Sequence, residues 1–421
     1  LNPLYAYVMG SLEEAKSRRP TRAEMDQMIA LMKEALDAGC CGFSYQRCGV
    51  PSVQPDWDGT PMPTDVVPDH ELIEFGKALG EYGRGFIEMF DAAPSDHATV
   101  EDFMTSLAEA SGRPIVRNIL LADDEDLKRH RVFIDWLHES HKKGLQVFGM
   151  GFTVRSPTIL TFEDWSLWDN AQAWHEVMNG QYEDRVALMK TESVRVKLRK
   201  EIDMNMVGGL GTSGPAQKLT VHSSAGYSQL DQYVDRKVAD IAADEGKHIA
   251  DVILDISLES EFKAEFVGNA YPTSAKLTKE VLDCPYVVPG ISDGGAHCHF
   301  VVQGAYPTDL LEWMVREEGL ITAEQAHYQL SRLPAHMCGM EDRGIIREGA
   351  PADIVVYNPD TIRRTPSWDK MDKLYDLPAG GWRRTQRAEG LNYTLVNGVV
   401  TFEGLDCTGA TPGELVLHGD N

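Results

Sequence analysis

One short stretch gathers a carboxylate, two imidazoles and a thiol: Ile291-Ser292-Asp293-Gly294-Gly295-Ala296-His297-Cys298-His299. An apolar run, Tyr286-Val287-Val288-Pro289-Gly290-Ile291, leads into it, and two glycines then turn the chain. The pattern places Asp293 at the carboxyl end of a buried strand, with His297 and His299 on the loop just beyond. A parallel α/β barrel keeps its chemistry at that end of its strands. The plainer alternative is a strand-to-helix turn in which the Asp is only turn chemistry. Against it stand three potential metal-binding or proton-transferring groups, His297, Cys298 and His299, close by in sequence.

Such a loop has to be carried by a repeating scaffold, and the preceding sequence supplies one. Thr21-Arg22-Ala23-Glu24 reads as a capping box, followed by Met25, Met28, Ile29, Met32 and Leu36 at helical spacing. The strand Cys41–Ser44 follows, and then a Pro/Gly/Asp-rich loop over about 49–68. Helix-then-strand units continue: a helix 69–82 with strand 85–90, a helix from Thr99 with strand 114–119, and a helix 125–143 with strand 145–148. This alternation predicts a parallel sheet with helical crossovers. After Gly151 the rhythm gives way to helices over 161–203, 229–245 and 249–260, an insertion before the strand that carries Asp293. The glycine-rich piece 207–211 lacks the Lys-Ser/Thr of a phosphate loop and carries no nucleotide reading. A helix over 321–339 closes this part. The tail reads as β structure: a strand 352–357, a hairpin 393–402 turning at Asn397-Gly398, and a strand 414–417. The expected domains are a barrel over 1–345, with a helical insertion at about 155–270, and a small β-sandwich over 346–421.

The 421 residues have a net charge of −25, which argues against nucleic acid and anionic membrane surfaces as partners. No apolar run approaches the length of a membrane span. Seven scattered cysteines without a C-x-x-C pair suit a reducing, cytoplasmic setting. The visible barrel strands number about five where a closed barrel needs eight. The tail strands also leave an open edge. Both deficits call for a further polypeptide segment supplying early barrel strands, as a separate chain or a piece outside this sequence.

Three stretches carry a family resemblance: Ala35–Ser44, Gly290–His297, and Asp342-Arg343-Gly344 through Gly349-Ala350-Pro351-Ala352-Asp353 with the hairpin after it. In these the chain resembles the amidohydrolase superfamily, in its N-acyl-D-amino-acid deacylase (D-aminoacylase-like) branch. The resemblance implies a metal-dependent hydrolase on a TIM-like (β/α)8 barrel with a small β domain. It also implies a His-x-His metal pair on a first strand that would lie before Leu1. The family's last-strand Asp maps onto Asp293. Where the better-known deacylases end strands five and six in a metal-binding His, this chain has Glu88 and Asn118. One divalent metal per site is therefore expected, zinc with iron or manganese as alternatives, held in part by Asp293 and Glu88. Asp293 would take the proton of the attacking water and pass it to the leaving nitrogen, and His297 would stabilise the oxyanion or orient Asp293. Ser44, Asn118 and His299 are candidate substrate hydrogen-bonding groups, and Arg47 a candidate for a substrate carboxylate.

The expected activity is hydrolysis of a C–N bond in an amide, N-acyl amino acid or cyclic amide, by an oligomeric, small-molecule enzyme. Two alternatives stand beside it: chemistry at another bond, such as an ester or C–C bond, and a non-catalytic subunit partnering a second chain. The substrate itself is not encoded in any motif, because fold does not fix function.

Overall fold

The computed structural model describes residues 1–50, 52, 54–92, 96–124, 126–163, 168, 171–204, 216–268, 272, 274–294, 297–367 and 369–417. The glycine-rich piece 207–211 and Trp165 lie outside the described residues.

Helices α1 (Asn2–Met9) and α2 (Leu12–Ser17), not expected from the sequence, precede α3 (Arg22–Asp37). The α3 capping box forms with both of its hydrogen bonds, and Met25, Met28, Met32 and Leu36 are its buried face. The chain then alternates through β1 (Gly42–Arg47), α4 (Asp69–Tyr82), β2 (Phe86–Asp91), α5 (Val100–Ser111), β3 (Ile115–Leu120), α6 (Leu127–Lys142) and β4 (Val147–Phe152). The insertion holds β5 (Ile159–Leu160), α7 (Gln172–Met178), α8 (Tyr182–Lys190), α9 (Glu192–Asp203), β6 (Thr220–Ser223), α10 (Val238–Glu245), α11 (Ile249–Glu259) and β7 (Glu265–Val267). It has its own core around Phe162, Trp168, Trp174, Phe262 and Phe266, and a small antiparallel sheet ordered β5-β7-β6. The single helix expected over 229–245 is instead a 3-10 turn, Ser228–Tyr233, followed by α10. Asp235, at φ +63°, lies between the two and cannot continue a right-handed helix.

After α12 (Ala275–Leu282), β8 (Val287–Gly290) joins a five-stranded parallel sheet ordered β1-β2-β3-β4-β8. Gly42 is required where β1 meets β2: at φ +148°, an added Cβ would lie 1.8 Å from the Phe86 carbonyl oxygen. Side chains alternate between the two faces of such a sheet. Ile87, Met89, Ile115, Val147 and Val287 point into the main core with α3–α6. Phe86, Val116, Phe148 and Val288 occupy the opposite, inner face. There they meet Leu333 and Met337.

Past β8 comes α13 (Tyr306–Asp309), running on as a π-helical stretch to Glu317. The helix expected over 321–339 is divided into α14 (Ala323–His327), a π-helical stretch 328–332, and α15 (Leu333–Met337). Pro334, at the start of α15, lacks the N–H that regular α-helix bonding needs there. The tail contains β9 (Ile354–Tyr357), β10 (Arg363–Thr365), β11 (Asp372–Leu374), β12 (Arg383–Thr385), β13 (Arg387–Glu389), β14 (Leu391–Val396), β15 (Val399–Glu403) and β16 (Asp406–Cys407). They form an antiparallel sheet ordered β16-β15-β14-β9 and two ribbons, β10–β13 and β11–β12. The β14–β15 turn has Asn397 and Gly398 both at positive φ, as a two-residue hairpin demands. Residues 414–417 are not a strand. Leu415 and Leu417 instead lie against the turn at Gly39, within reach of a Cβ built there.

Arg47 corrects an expectation. It shares the helix-facing side of β1 with Tyr45 and is 1% exposed, so it does not look into the site. Its Nε donates to Asp91 at 2.9 Å, Nη1 pairs with Asp69, and the guanidinium lies 4.4 Å from the centre of the Phe103 ring. Asp69 also meets His97 Nδ1 at 2.7 Å. Removing the cation would take its guanidinium from two buried carboxylates, although Asp69 keeps His97 and the Asp96 N–H. Arg47→Met is therefore expected to cost about 3–5 kcal/mol of stability. Urea unfolding measures this, and a loss under about 1 kcal/mol would contradict the buried-pair account.

Candidate active site

The inner face changes from apolar to polar one layer above its floor. The strand register sets Ser44 opposite Glu88 and Glu88 opposite Val116, and Asn118 comes two residues after Val116 on the same side. Ser44 is exposed, whereas Glu88 and Asn118 are half-buried. Glu88 is the third residue of β2, so it sits deeper than a strand end. Burial pushes its carboxyl up to about 7, against the pull of a hydrogen bond from Asn118. The Asn118 side-chain oxygen is buried without a partner. Ser44, Glu88 and Asn118 are thus on one face, and Arg47 is not.

The chain leaves β8 through Asp293 at φ +42° and reaches His297 at φ +52°. Such positions are sparsely populated by residues other than glycine, persist only where the surroundings fix them, and cluster at functional sites. The His297 carbonyl accepts from the Phe300 and Val301 N–H groups at 2.7 and 3.1 Å, closing the loop on itself. Asp293 is half-buried; burial raises its pKa, opposed by the nearby His297 ring. Asp293 also lines a cleft of about 430 Å³, together with Ser292, Cys298, Gln303, Thr308 and Arg387. The far wall of that cleft is β12 and β13 of the tail. His299, expected to bind substrate, stacks on Trp382 with ring centres 4.1 Å apart and planes 7° apart. That contact gives its ring a packing role.

The cleft's wall was not visible from sequence. Arg384 and Trp382 lie more than 80 positions beyond the loop they touch, and no local pattern marks them. The inner-face position of Glu88 was readable from strand alternation alone.

The donors do not by themselves build a metal centre. Among the described residues, the one group of three His, Cys, Asp or Glu ligand atoms close enough to share an ion is Glu13, Asp56 and Asp58. Lys16 already pairs with all three, at 3.7, 2.8 and 3.1 Å. Glu88 and Asp293 are two carboxylates, and the polar inner-face positions of β2 and β3 carry no imidazole. A tetrahedral zinc shell needs more.

The Glu88 carboxyl makes a pH-dependent prediction. Between pH 4.5 and about 7 the folded chain keeps a proton that the unfolded chain has lost. Its contribution to stability therefore falls as pH rises through that window. Glu88→Gln removes the penalty. The melting temperature of the metal-free variant, relative to the parent, should rise on going from pH 5 to pH 8. A pH-independent difference would show that Glu88 titrates normally.

Comparison with known proteins agrees with this layout. Residues 230–402 match the amidohydrolase family. An N-acyl-D-glutamate deacylase of Alcaligenes xylosoxydans xylosoxydans is 35% identical over 114 residues, 26% of this chain and 20% of the relative. The chain thus matches about a fifth of that relative's length. Two solved structures extend the likeness in fold. A D-aminoacylase with a binuclear metal centre has a TM-score of 0.56 at 18% identity, covering 97% of this chain and 68% of the other. An N-acyl-D-glutamate deacylase of Bordetella bronchiseptica, complexed with zinc and a phosphonate inhibitor, has a TM-score of 0.54 at 18% identity, covering 95% and 68%. The α/β, TIM-like parallel sheet with a small β domain is thus the architecture of the D-aminoacylases, and this chain resembles the deacylase branch of the amidohydrolases.

Proposed function

We propose that this chain forms the larger part of a hydrolase that cleaves the C–N bond of an amide, with an N-acyl amino acid as the first substrate class to test and a cyclic amide as the second. One observation carries the reading: Asp293 stands just past the last parallel strand, in a left-handed turn, at the wall of a cleft. It does so within the segment that matches the amidohydrolase family. In this reading Asp293 accepts the proton of the attacking water and delivers it to the leaving nitrogen. His297 opposes the upward push of burial on the Asp293 carboxyl and would stabilise the developing negative charge. Ser44 and Asn118 offer hydrogen bonds on the inner face.

A divalent metal is part of the proposal, zinc first with iron or manganese as alternatives. When bound, it would supply a more acidic water and a polarised carbonyl. Asp293 and Glu88 would be its ligands from the described residues, and the remainder would come from elsewhere. The sheet supports this: among the described residues β1 pairs only with β2 and β8 only with β4, leaving two edges for further strands. A second polypeptide segment there would supply both strands and ligands. Seven free thiols support a reducing, cytoplasmic setting. Among the described residues no helix is long and apolar enough to cross a membrane. The replacement of imidazoles by Glu88 and Asn118 favours a second reading, hydrolysis or lysis of an ester or C–C bond by the same Asp293.

Asn tolerates left-handed backbone, so Asp293→Asn is expected to fold while losing the base. The kcat on N-acyl amino acids should fall about 10²–10⁴-fold, with little change in melting temperature. A folded variant with full turnover would remove Asp293 from the mechanism. Elemental analysis of the complete active particle should find one tightly bound metal per site, and two equivalents would contradict the two-carboxylate account.

A further inference from the structure

We propose that Arg384, in the small β domain, is the positioning residue for the Asp293 loop. The proposal rests on the hydrolase reading above for its kinetic consequence, though not for its structural one. Arg384 is the middle residue of β12 and only 4% exposed. It binds the loop twice: its backbone N–H donates to the Cys298 carbonyl at 2.8 Å, and its Nε donates to the His299 carbonyl at 2.7 Å. Its Nη2 reaches Glu265 Oε1 in β7 at 2.8 Å. Two residues earlier, Trp382 covers the His299 ring. One short strand thus joins the loop beyond β8 to the insertion.

The guanidinium suits this role because its planar fork serves a carbonyl and a carboxylate at once in fixed directions. An ammonium at the same place could hold Glu265 but would fix the loop less well. Cys298 and His299 directly follow His297 in sequence, and the left-handed backbone of Asp293 and His297 needs support from its surroundings. The loop's internal bonds, from Phe300 and Val301 to the His297 carbonyl, close it, and the Ile159 N–H of β5 holds its far end at the Phe300 carbonyl at 2.9 Å. Arg384 holds the two residues before, Cys298 and His299, from the side of the tail. Glu265 keeps a second cation, Lys373 at 2.5 Å, so its charge does not depend on Arg384 alone.

The test compares Arg384→Met, Arg384→Lys and Lys373→Met by amide hydrogen exchange over residues 297–302 and by steady-state kinetics on an N-acyl amino acid. Arg384→Met is expected to lose exchange protection at Phe300 and Val301. Its kcat should fall about 100-fold, the scale of a displacement of about 1 Å in a reacting group, with KM changed less than about threefold. Arg384→Lys should recover part of both. Lys373→Met, which removes the second cation on Glu265 and a cation lying 4.8 Å from the centre of the Trp382 ring but leaves both Arg384 hydrogen bonds to the loop, should leave both near the parent values. Unchanged exchange in Arg384→Met would overturn the proposal, as would equal losses in Lys373→Met or a change confined to KM. If Arg384→Met does not fold, Arg384→Lys decides by the same two measurements. Absence of hydrolysis by the parent protein would count against the hydrolase reading alone, and the exchange data would still decide the clamp.

Discussion

Parallel strands project side chains to both faces, and both faces must be covered or solvated. In this protein the two faces meet that demand differently. The helix-facing side is apolar, with Ile87, Met89, Ile115, Val147 and Val287 against α3–α6. Its exception, Arg47, is neutralised by Asp69 and Asp91 on neighbouring elements. The inner side is apolar at its floor, where Phe86, Val116, Phe148 and Val288 meet α15. One layer up it carries Ser44, Glu88 and Asn118. A carboxylic acid on that half-buried face is costly to ionise, and its raised pKa follows directly. The chemistry of the site is thus a consequence of where the sheet stops being covered.

The small β domain is bound into the same arrangement by charge. Asp309 at the end of α13 is fully buried and meets Arg364 of β10 at 2.8 Å. The same carboxylate accepts from Arg155, beyond β4, through the backbone N–H at 2.7 Å and the guanidinium at 2.8 Å. Arg364 in turn donates to the Arg155 carbonyl at 2.8 Å. A buried carboxylate between two guanidiniums is costly to disturb, because removing one member strands the charge of the others. With the Arg384 contacts, this fixes the ribbons β10–β13 and β11–β12 beside the cleft.

Much of this was legible in the sequence where the physics is local. Capping of α3, the helix–strand alternation, the inner-face alternation of β2 and the Asn397-Gly398 turn all follow from short-range rules. The failures share a cause. Arg47 falls on the helix side because β1 runs three residues beyond the expected end at Ser44, and alternation then sets position 47 with Phe43 and Tyr45. The stacking of His299 on Trp382 could not be read locally because the two are remote in sequence. The helix expected over 229–245 failed at Asp235, where one residue's backbone overrides an apolar pattern. Residues 414–417 have the composition of a strand, but Leu415 and Leu417 cover the Gly39 turn instead.

Both carboxyls of the candidate site are pushed upward by burial, against influences that include the Asn118 amide at Glu88 and the His297 ring at Asp293. Among the described residues neither is paired in a salt bridge, in contrast to Asp69, held down by Arg47, or Glu280, pulled down to about 2 by Arg131 and His130. The protein therefore separates two uses of acidic residues. Asp69 and Glu280, in structural pairs, are shifted downward by their cationic partners and stabilise through charge. Those facing the inner side and the cleft are shifted upward by burial, Glu88 to about 7, which is the direction that suits a carboxyl to proton transfer. In a chain with 65 acidic residues, this difference in environment singles out Glu88 and Asp293 as candidates for chemistry.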